Sequence, residues 1–489
     1  MDARVLAGNL GTWSAGKGSL QQKLAYALTH VIRQGLLNPG IRLPSERSLA
    51  ASLALSRTTV VAAYDALRES GWLESRKGSG TWVAESSPAL AAARGAAQAG
   101  TLAQSRLLGM LTHRPEADML NFAMGTPQPL RDMPVDAFTL PPDEQAALVR
   151  DHHYYPLGLP ALRQALAVYY AELSLPTTPE QILVTNGGQQ AIALCANFYL
   201  QRGDAGLVED PVYFGAIEAF RATGARVFGL PVGPDGVVPN LLRGRITATA
   251  ARLVYLTPAF QNPTGAVMPR AARKEVARIA SDLDVPVIED ETLADLALES
   301  TPPPAIATFA PAAPILTIGS LSKLLWPGLR VGWIRASEPV IERLARLKTV
   351  NDLASPLVTQ AVAVRLLGMV REARRLRREQ LKPRRDLLVS LLRARLPEWS
   401  FRVPSGGLFL WVKLPRGDSR EFAQTALRHG LVVLPGPTMS ASEQHAGFLR
   451  VPFLAEPETL RTGVGRLAAA WREFQSAGRR EQRASVPLV

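Results

Sequence analysis

Apolar residues recur at helical spacing from Leu20 to about Leu36, and Asn38-Pro39-Gly40 stops that run. Ser45, after Pro44, opens a second short helix with Leu49, Leu53 and Leu55 as its apolar positions. Ser56 opens a third, with Val60, Ala63, Tyr64 and Leu67 at core spacing and Gly71 at its end. Leu73–Val83 has the pattern of a hairpin with a basic, glycine-rich tip. Residues 85–118 shift to Ala, Gly, Ser and Gln and read as a linker, with a short helix near Leu102–Leu111. From Met119 onward, strand-like runs alternate with helix-length amphipathic segments: Ile182–Val184, Ala205–Val208, Arg226–Leu230, Leu253–Leu256, Val285–Ile288 and Ile315–Ile318. That alternation implies βαβ units and a mostly parallel sheet covered on both faces, an α/β fold. Residues 357–396 become long, helical and Arg-rich, and strands return at Gly407–Val412. This suggests a second, smaller α+β lobe, mainly 357–477, ahead of a disordered tail at 478–489.

At 489 residues, two or three domains are expected: 1–84, the linker 85–118, and 119–477. Hydrophobic residues make up 47% and charged residues 20%, as in a soluble globular protein, and no apolar run is long enough to span a bilayer. Met1-Asp2 starts no secretory signal. The single cysteine, Cys195, cannot form an internal disulfide, which fits a reducing cytoplasm, and reads as a small core residue. The formal net charge is +13; residues 1–84 hold ten Lys/Arg against five Asp/Glu. A basic surplus favours a polyanion partner, although arginine-rich composition alone is a weak signal.

The N-terminal block sharpens that partner. Arg57, Thr58 and Thr59 lie at the start of the third helix, the end that a helix-turn-helix presents to bases and phosphates. Any one of Arg47, Arg57, Arg76 and Lys77 could be a solvated charge. The ordered series of helix stop, turn, recognition helix and wing argues for DNA. The run Leu43-Pro44-Ser45-Glu46-Arg47, the Ser56-Arg57-Thr58-Thr59-Val60 start and the Gly78-Ser79-Gly80-Thr81 tip resemble the GntR-type winged helix-turn-helix. The resemblance implies that Arg47 and Arg57 touch bases or phosphates, that Ser45, Ser56, Thr58 and Thr59 touch phosphates, and that Gly78 belongs to the wing.

The larger region carries a second chemistry. Lys323 follows the run Ile315–Ile318, with Ser320 and Ser322 before it and Arg330 seven residues after it. A lysine there can form a Schiff base with a carbonyl cofactor, and the arginine can hold a phosphate. Thr185-Asn186-Gly187-Gly188-Gln189 follows a strand and opens a helix, as a phosphate site does, though two such glycines also serve a plain turn. Tyr213 is suited to stack on a ring or to sit in the core. Asn262, in Asn262-Pro263-Thr264-Gly265, lies beyond a strand's C-terminal end, or in a simple turn. Asp290 could hold a pyridine nitrogen protonated, or cap a helix.

In this order, these residues resemble the fold-type I pyridoxal phosphate family over about Met119–Arg472. The resemblance implies Lys323 as the Schiff-base lysine, Asp290 on the pyridine nitrogen, Asn262 on the phenolic oxygen and Tyr213 stacked on the ring. It implies Gly188, Gln189, Ser320 and Arg330 on the phosphate, Tyr154 reaching a partner subunit's phosphate, and Arg450 clamping an amino acid's carboxylate. Two positions depart from the family: Asp290-Glu291-Thr292-Leu293 lacks the tyrosine expected two or three residues after the aspartate, and Gly188 stands where serine is common.

A GntR-type reader joined to an aminotransferase-like domain resembles the MocR subfamily of bacterial transcription regulators. That resemblance implies a head-to-tail homodimer on a double-stranded DNA operator. Pyridoxal 5'-phosphate on Lys323 would form an internal aldimine, converted to an external aldimine by an amine or amino-acid effector. The alternatives are an active aminotransferase with an accessory DNA module, and a sensor of pyridoxal phosphate itself, which Arg450 disfavours.

Overall fold

The computed structural model describes residues 1–11, 13–14, 18–33, 36–76, 80–84, 118–130 and 132–484. In the N-terminal module, helices Leu20–Arg33, Glu46–Leu53 and Arg57–Glu69 precede strands β1 (Leu73–Arg76) and β2 (Gly80–Val83). Ser45 caps the second helix by accepting from Ser48 N at 3.2 Å, and Ser56 caps the third by accepting from Thr59 N at 3.2 Å. Both satisfy amide donors that a helix start leaves unpaired. The buried Tyr64 hydroxyl donates to Pro44 O at 3.0 Å and fixes the third helix against the turn before the second. β1 and β2 pair antiparallel as the wing; Gly78, at its tip, lies outside the described residues. So does the expected linker helix near Leu102–Leu111.

An additional helix, Ala3–Asn9, puts Leu6, Leu10 and the following Trp13 into the same core. This module touches the small lobe. Trp13 Nε1 donates to Gln424 Oε1 at 2.9 Å, and Arg428 Nη1 donates to Leu53 O at 3.2 Å.

The remainder is built on two sheets. The larger contains β4 (Ile182–Thr185), β5 (Ala205–Asp210), β6 (Arg226–Gly233), β7 (Gly236–Val237), β8 (Ala251–Leu256), β9 (Val287–Asp290), β10 (Ile315–Ser320) and β11 (Gly332–Arg335). Their order is β4-β11-β10-β9-β8-β5-β6-β7. All run the same way except β11 and β7. The C-terminal ends of β4, β5, β8, β9 and β10 therefore share one edge, where α/β sheets hold ligands. β4, β5 and β9 are buried at every position, as a parallel sheet under helices requires.

The small sheet joins β12 (Ser400–Phe401), β13 (Phe409–Lys413), β14 (Leu431–Pro435) and β15 (Phe448–Pro452). Its order is β12-β13-β15-β14-β3, and β3 is Leu120–Phe122, the first strand after the linker. That strand carries no signal in an apolar-run search because it is three residues long. Helix Leu357–Leu367, which opens the expected small lobe, packs on helix Pro160–Glu172. Of the expected disordered tail at 478–489, residues 485–489 lie outside the described residues and 478–484 are helical. Helix Pro457–Ala484 continues through 478–484, because its stretch beyond Gly478 is rich in the helix formers Arg, Glu and Gln.

Substituting Tyr64 with Phe removes one buried hydrogen bond and leaves Pro44 O unpaired. The expected cost is ~1–2 kcal/mol, read as an earlier unfolding transition of the N-terminal module in urea.

Candidate cofactor and effector site

β10 ends at Ser320, and the turn after it presents the Lys323 amine, which donates to Gly125 O at 2.8 Å. Burial lowers the Lys323 pKa from an ordinary 10.5 to about 8, with Arg450 and Arg330 adding to the shift and Asp290 opposing it. The result is a nucleophile available near neutral pH.

Asp290, at the end of β9 and 4% exposed, is fixed on both oxygens. Thr292 N donates to Oδ1 at 2.9 Å, and the Tyr255 hydroxyl donates to Oδ2 at 2.5 Å. Burial and the Asp290 charge hold the Tyr255 pKa well above its usual range, so this hydroxyl stays a donor. Tyr255 was not singled out from sequence. The available signal was its place in β8, paired with Ile288 of the neighbouring strand β9.

The phosphate cradle forms where β4 and the start of β11 meet. Gly187 has φ +96°, and a Cβ there would lie 2.9 Å from Arg330 Nη2. Arg330 itself is left-handed, with φ +52°, and its Nη2 donates to Asn186 O at 2.5 Å. Gly188 begins the helix Gly188–Tyr199, whose N-terminal amides suit an anion. Gln189 Nε2 donates to Gly215 O at 3.0 Å, while its buried Oε1 has no partner. Ser320 Oγ lies 3.0 Å from both Ser322 Oγ and Val331 O. The two departures from the family form one packed pair: a Cβ on Gly188 would stand 3.2 Å from Thr292 Cγ2. Thr292 therefore occupies the space beside the position where a serine is common.

Arg450, on β15, is 3% exposed. It lies over the Phe409 ring at 4.1 Å, and it donates to Ala123 O at 2.5 Å and to Asn262 Oδ1 at 3.2 Å. Its Nε is buried without a partner, and burial lowers its pKa to about 9. No carboxylate pairs with it among the described residues. A buried guanidinium in that state suits an anion. Tyr213 stands at the start of helix Phe214–Ala222, packed on Phe214 and within the electrostatic reach of Asp290 and Arg450.

Lys323, Asp290, Asn262, Tyr213 and Arg450 thus lie close together, within hydrogen-bond or electrostatic reach of one another, and Arg330 lies against Gly187 beside them. Tyr154 stands apart on an exposed loop, at 73% exposure. In the N-terminal module, Ser45, Arg47, Ser56, Arg57 and Thr58 are exposed and Thr59 half-buried; Ser56 Oγ lies 2.8 Å from both threonine hydroxyls. Arg47 and Arg57 form no ion pair among the described residues.

Residues 117–467 match the family model "Aminotransferase class I and II", and residues 20–83 match "Bacterial regulatory proteins, gntR family". The HTH-type transcriptional regulator YdfD of Bacillus subtilis, uncharacterized, is 30% identical over 92% of this chain and 96% of its own. The probable rhizopine catabolism regulatory protein MocR of Rhizobium meliloti is 28% identical over 94% and 95%.

The chain belongs to the MocR subfamily of GntR-type regulators.

The aminotransferase-like fold is equally plain. LysN, the α-aminoadipate aminotransferase of Thermus thermophilus, solved with N-(5'-phosphopyridoxyl)-L-leucine, superposes with a TM-score of 0.66 at 29% identity, over 74% of this chain and 94% of that one. In this MocR-type chain, a half-buried lysine of lowered pKa, a doubly held aspartate and a glycine–arginine cradle fit pyridoxal 5'-phosphate. Lys323 would hold its aldehyde carbon, Asp290 its ring nitrogen, and Arg330 with the Gly188 helix its phosphate. When bound, the cofactor supplies an electrophilic carbonyl that amines attack.

Two measurements follow from this geometry. The rate of aldehyde capture by Lys323 should rise with pH and reach half its plateau near pH 8, because the free amine reacts; a midpoint near 10.5 would contradict the burial described here. Tyr255→Phe should weaken retention of pyridoxal 5'-phosphate by roughly tenfold, as expected for a hydrogen bond to a charged group, measured by absorbance titration.

Proposed function

We propose that this regulator binds an operator through Arg47, Arg57 and the helix start at Ser56–Thr59, and tunes that binding by the chemistry of its second domain. Pyridoxal 5'-phosphate resides on Lys323. The effector is an amine that also carries a carboxylate, an amino acid in chemical class. The observation carrying this reading is Arg450: a buried guanidinium with an unpartnered Nε, on the pocket that contains Lys323. A sensor of the cofactor alone has no use for it.

With the cofactor bound, Arg450 would orient the effector's carboxylate, Lys323 would yield its place to the effector's amine, and Asp290 would hold the proton of the ring nitrogen. Thr292 and Gly188 replace two groups of the aminotransferase pattern. That change favours capture of an amine over repeated turnover, and it is why the enzyme reading ranks second.

Assembly as a head-to-tail homodimer fits the exposed apolar side chains of the large lobe. Val350 is 87% exposed, Val135 79%, Val149 76% and Leu353 53%. Such residues seek a partner surface. Tyr154, exposed as well, would reach the second subunit's phosphate site. With no described helix long and apolar enough to cross a membrane, and with DNA as its target, the protein acts in the cytoplasm.

Lys323→Ala should abolish the absorbance of lysine-bound cofactor and blunt the amino-acid response, with DNA binding retained. Arg57→Ala should do the reverse, weakening binding to the DNA upstream of its own gene by ~1–3 kcal/mol with the absorbance intact. Steady-state assays with amino acids and 2-oxoglutarate should give no enzyme-like turnover; rates of about 1 per second or more would make the aminotransferase reading the correct one.

A further inference from the structure

Three cations around this pocket donate to backbone carbonyls of one short segment. Arg450 Nη2 donates to Ala123 O at 2.5 Å, Lys323 Nζ to Gly125 O at 2.8 Å, and Arg377 Nη1 to Gln128 O at 2.7 Å. The segment Ala123–Gln128 follows β3 and has no regular secondary structure, so its carbonyls are free for such use. A Cβ on Gly125 would lie 2.6 Å from Phe409 Cζ, so the segment runs tightly over the same ring that underlies Arg450.

Two of these donors are the groups that bind ligand. Condensation of the Lys323 amine with an aldehyde expels one water, made from the carbonyl oxygen and both amine hydrogens, and takes away the N–H that Gly125 accepts. A carboxylate outcompetes Ala123 O for Arg450, because its full negative charge and two oxygens suit the guanidinium better than a single neutral carbonyl does. Arg377 is different. It is 0% exposed and also donates to Leu324 O at 2.8 Å and Leu325 O at 3.0 Å, the two residues after Lys323. It faces no ligand and ties the lysine's turn to the far end of the segment.

We infer that Ala123–Gln128 is a strap that reports occupancy of Lys323 and Arg450 to the DNA module, with Arg377 as the positioning residue that pins its distal end. The route outward is short. β3 immediately precedes the strap, and Asp118, where the linker arrives, is bonded through its carbonyl by Arg466 Nη1 at 2.6 Å. Cofactor on Lys323 frees Gly125, and a carboxylate on Arg450 frees Ala123, while Gln128 remains fixed. The freed end is the one joined to the linker. This inference rests on the regulator reading above.

Hydrogen exchange on the full-length protein tests it with two probes. Pyridoxal 5'-phosphate reaches the Lys323 tether, and N-(5'-phosphopyridoxyl)-L-leucine, which has no aldehyde, reaches the Arg450 tether. Each should speed exchange in peptides spanning 121–126 by about tenfold and leave 127–130 unchanged. Unchanged exchange at 121–126 with both probes overturns the strap. Arg377→Met should loosen 127–130 without ligand and collapse the ligand-dependent change in operator affinity, with Arg377→Lys restoring part of it. A full response in folded Arg377→Met also overturns the strap. If 121–126 loosens while wild-type operator affinity ignores both probes, the release of the segment stands, but its report to the DNA module is overturned and the regulator reading fails with it.

Discussion

Positive charge buried without a carboxylate partner is the constraint on which the second domain depends. Arg450 and Arg377 are 3% and 0% exposed, and the acceptors found for them are carbonyl or amide oxygens. Such groups lower a guanidinium's solvation cost without neutralising it. The surroundings of Arg450 consequently suit an anion, and Arg450 adds to the burial that holds the Lys323 amine at a lowered pKa. Asp290 balances this positive charge where a ring nitrogen would lie, and Tyr255 keeps that carboxylate in place. Removing any one of these groups changes the electrostatics felt by the rest.

Much of this was legible in the chain because the chemistry sits at strand ends. Lys323, Asp290, Asn262 and the Gly187-Gly188 pair each follow an apolar run, and the parallel sheet order brings those ends to one edge. What sequence concealed was contact between distant segments. Arg377 lies in an Arg-rich helix where nothing distinguishes it from exposed neighbours such as Arg375. Tyr255 reads as one more apolar strand residue. The membership of β3 in the small-lobe sheet depends on pairing with β14, more than 300 residues away along the chain. Thr292 and Gly188 looked like two independent losses, and only their proximity shows them to be one local repacking.

The N-terminal module was legible for another reason. Its signals are local: two serine caps, a turn, a recognition helix and a wing, each within a few residues of the next. Its attachment to the rest was not. The contacts of Trp13 with Gln424 and of Leu53 with Arg428 join segments 411 and 375 residues apart. They set the reader beside the small lobe that carries Arg450, so the DNA-binding and ligand-binding halves are physically continuous.

Coupling between those halves is the central claim, and linkage makes it measurable from either side. If ligand changes operator affinity, operator DNA must change ligand affinity by the same factor. The direct measurement is the affinity of the full-length protein for N-(5'-phosphopyridoxyl)-L-leucine with and without saturating DNA from upstream of its own gene. The account predicts a shift of about fivefold or more, equal to the shift that the same compound produces in DNA affinity. Identical affinities in the two titrations, with both ligands bound, would contradict it.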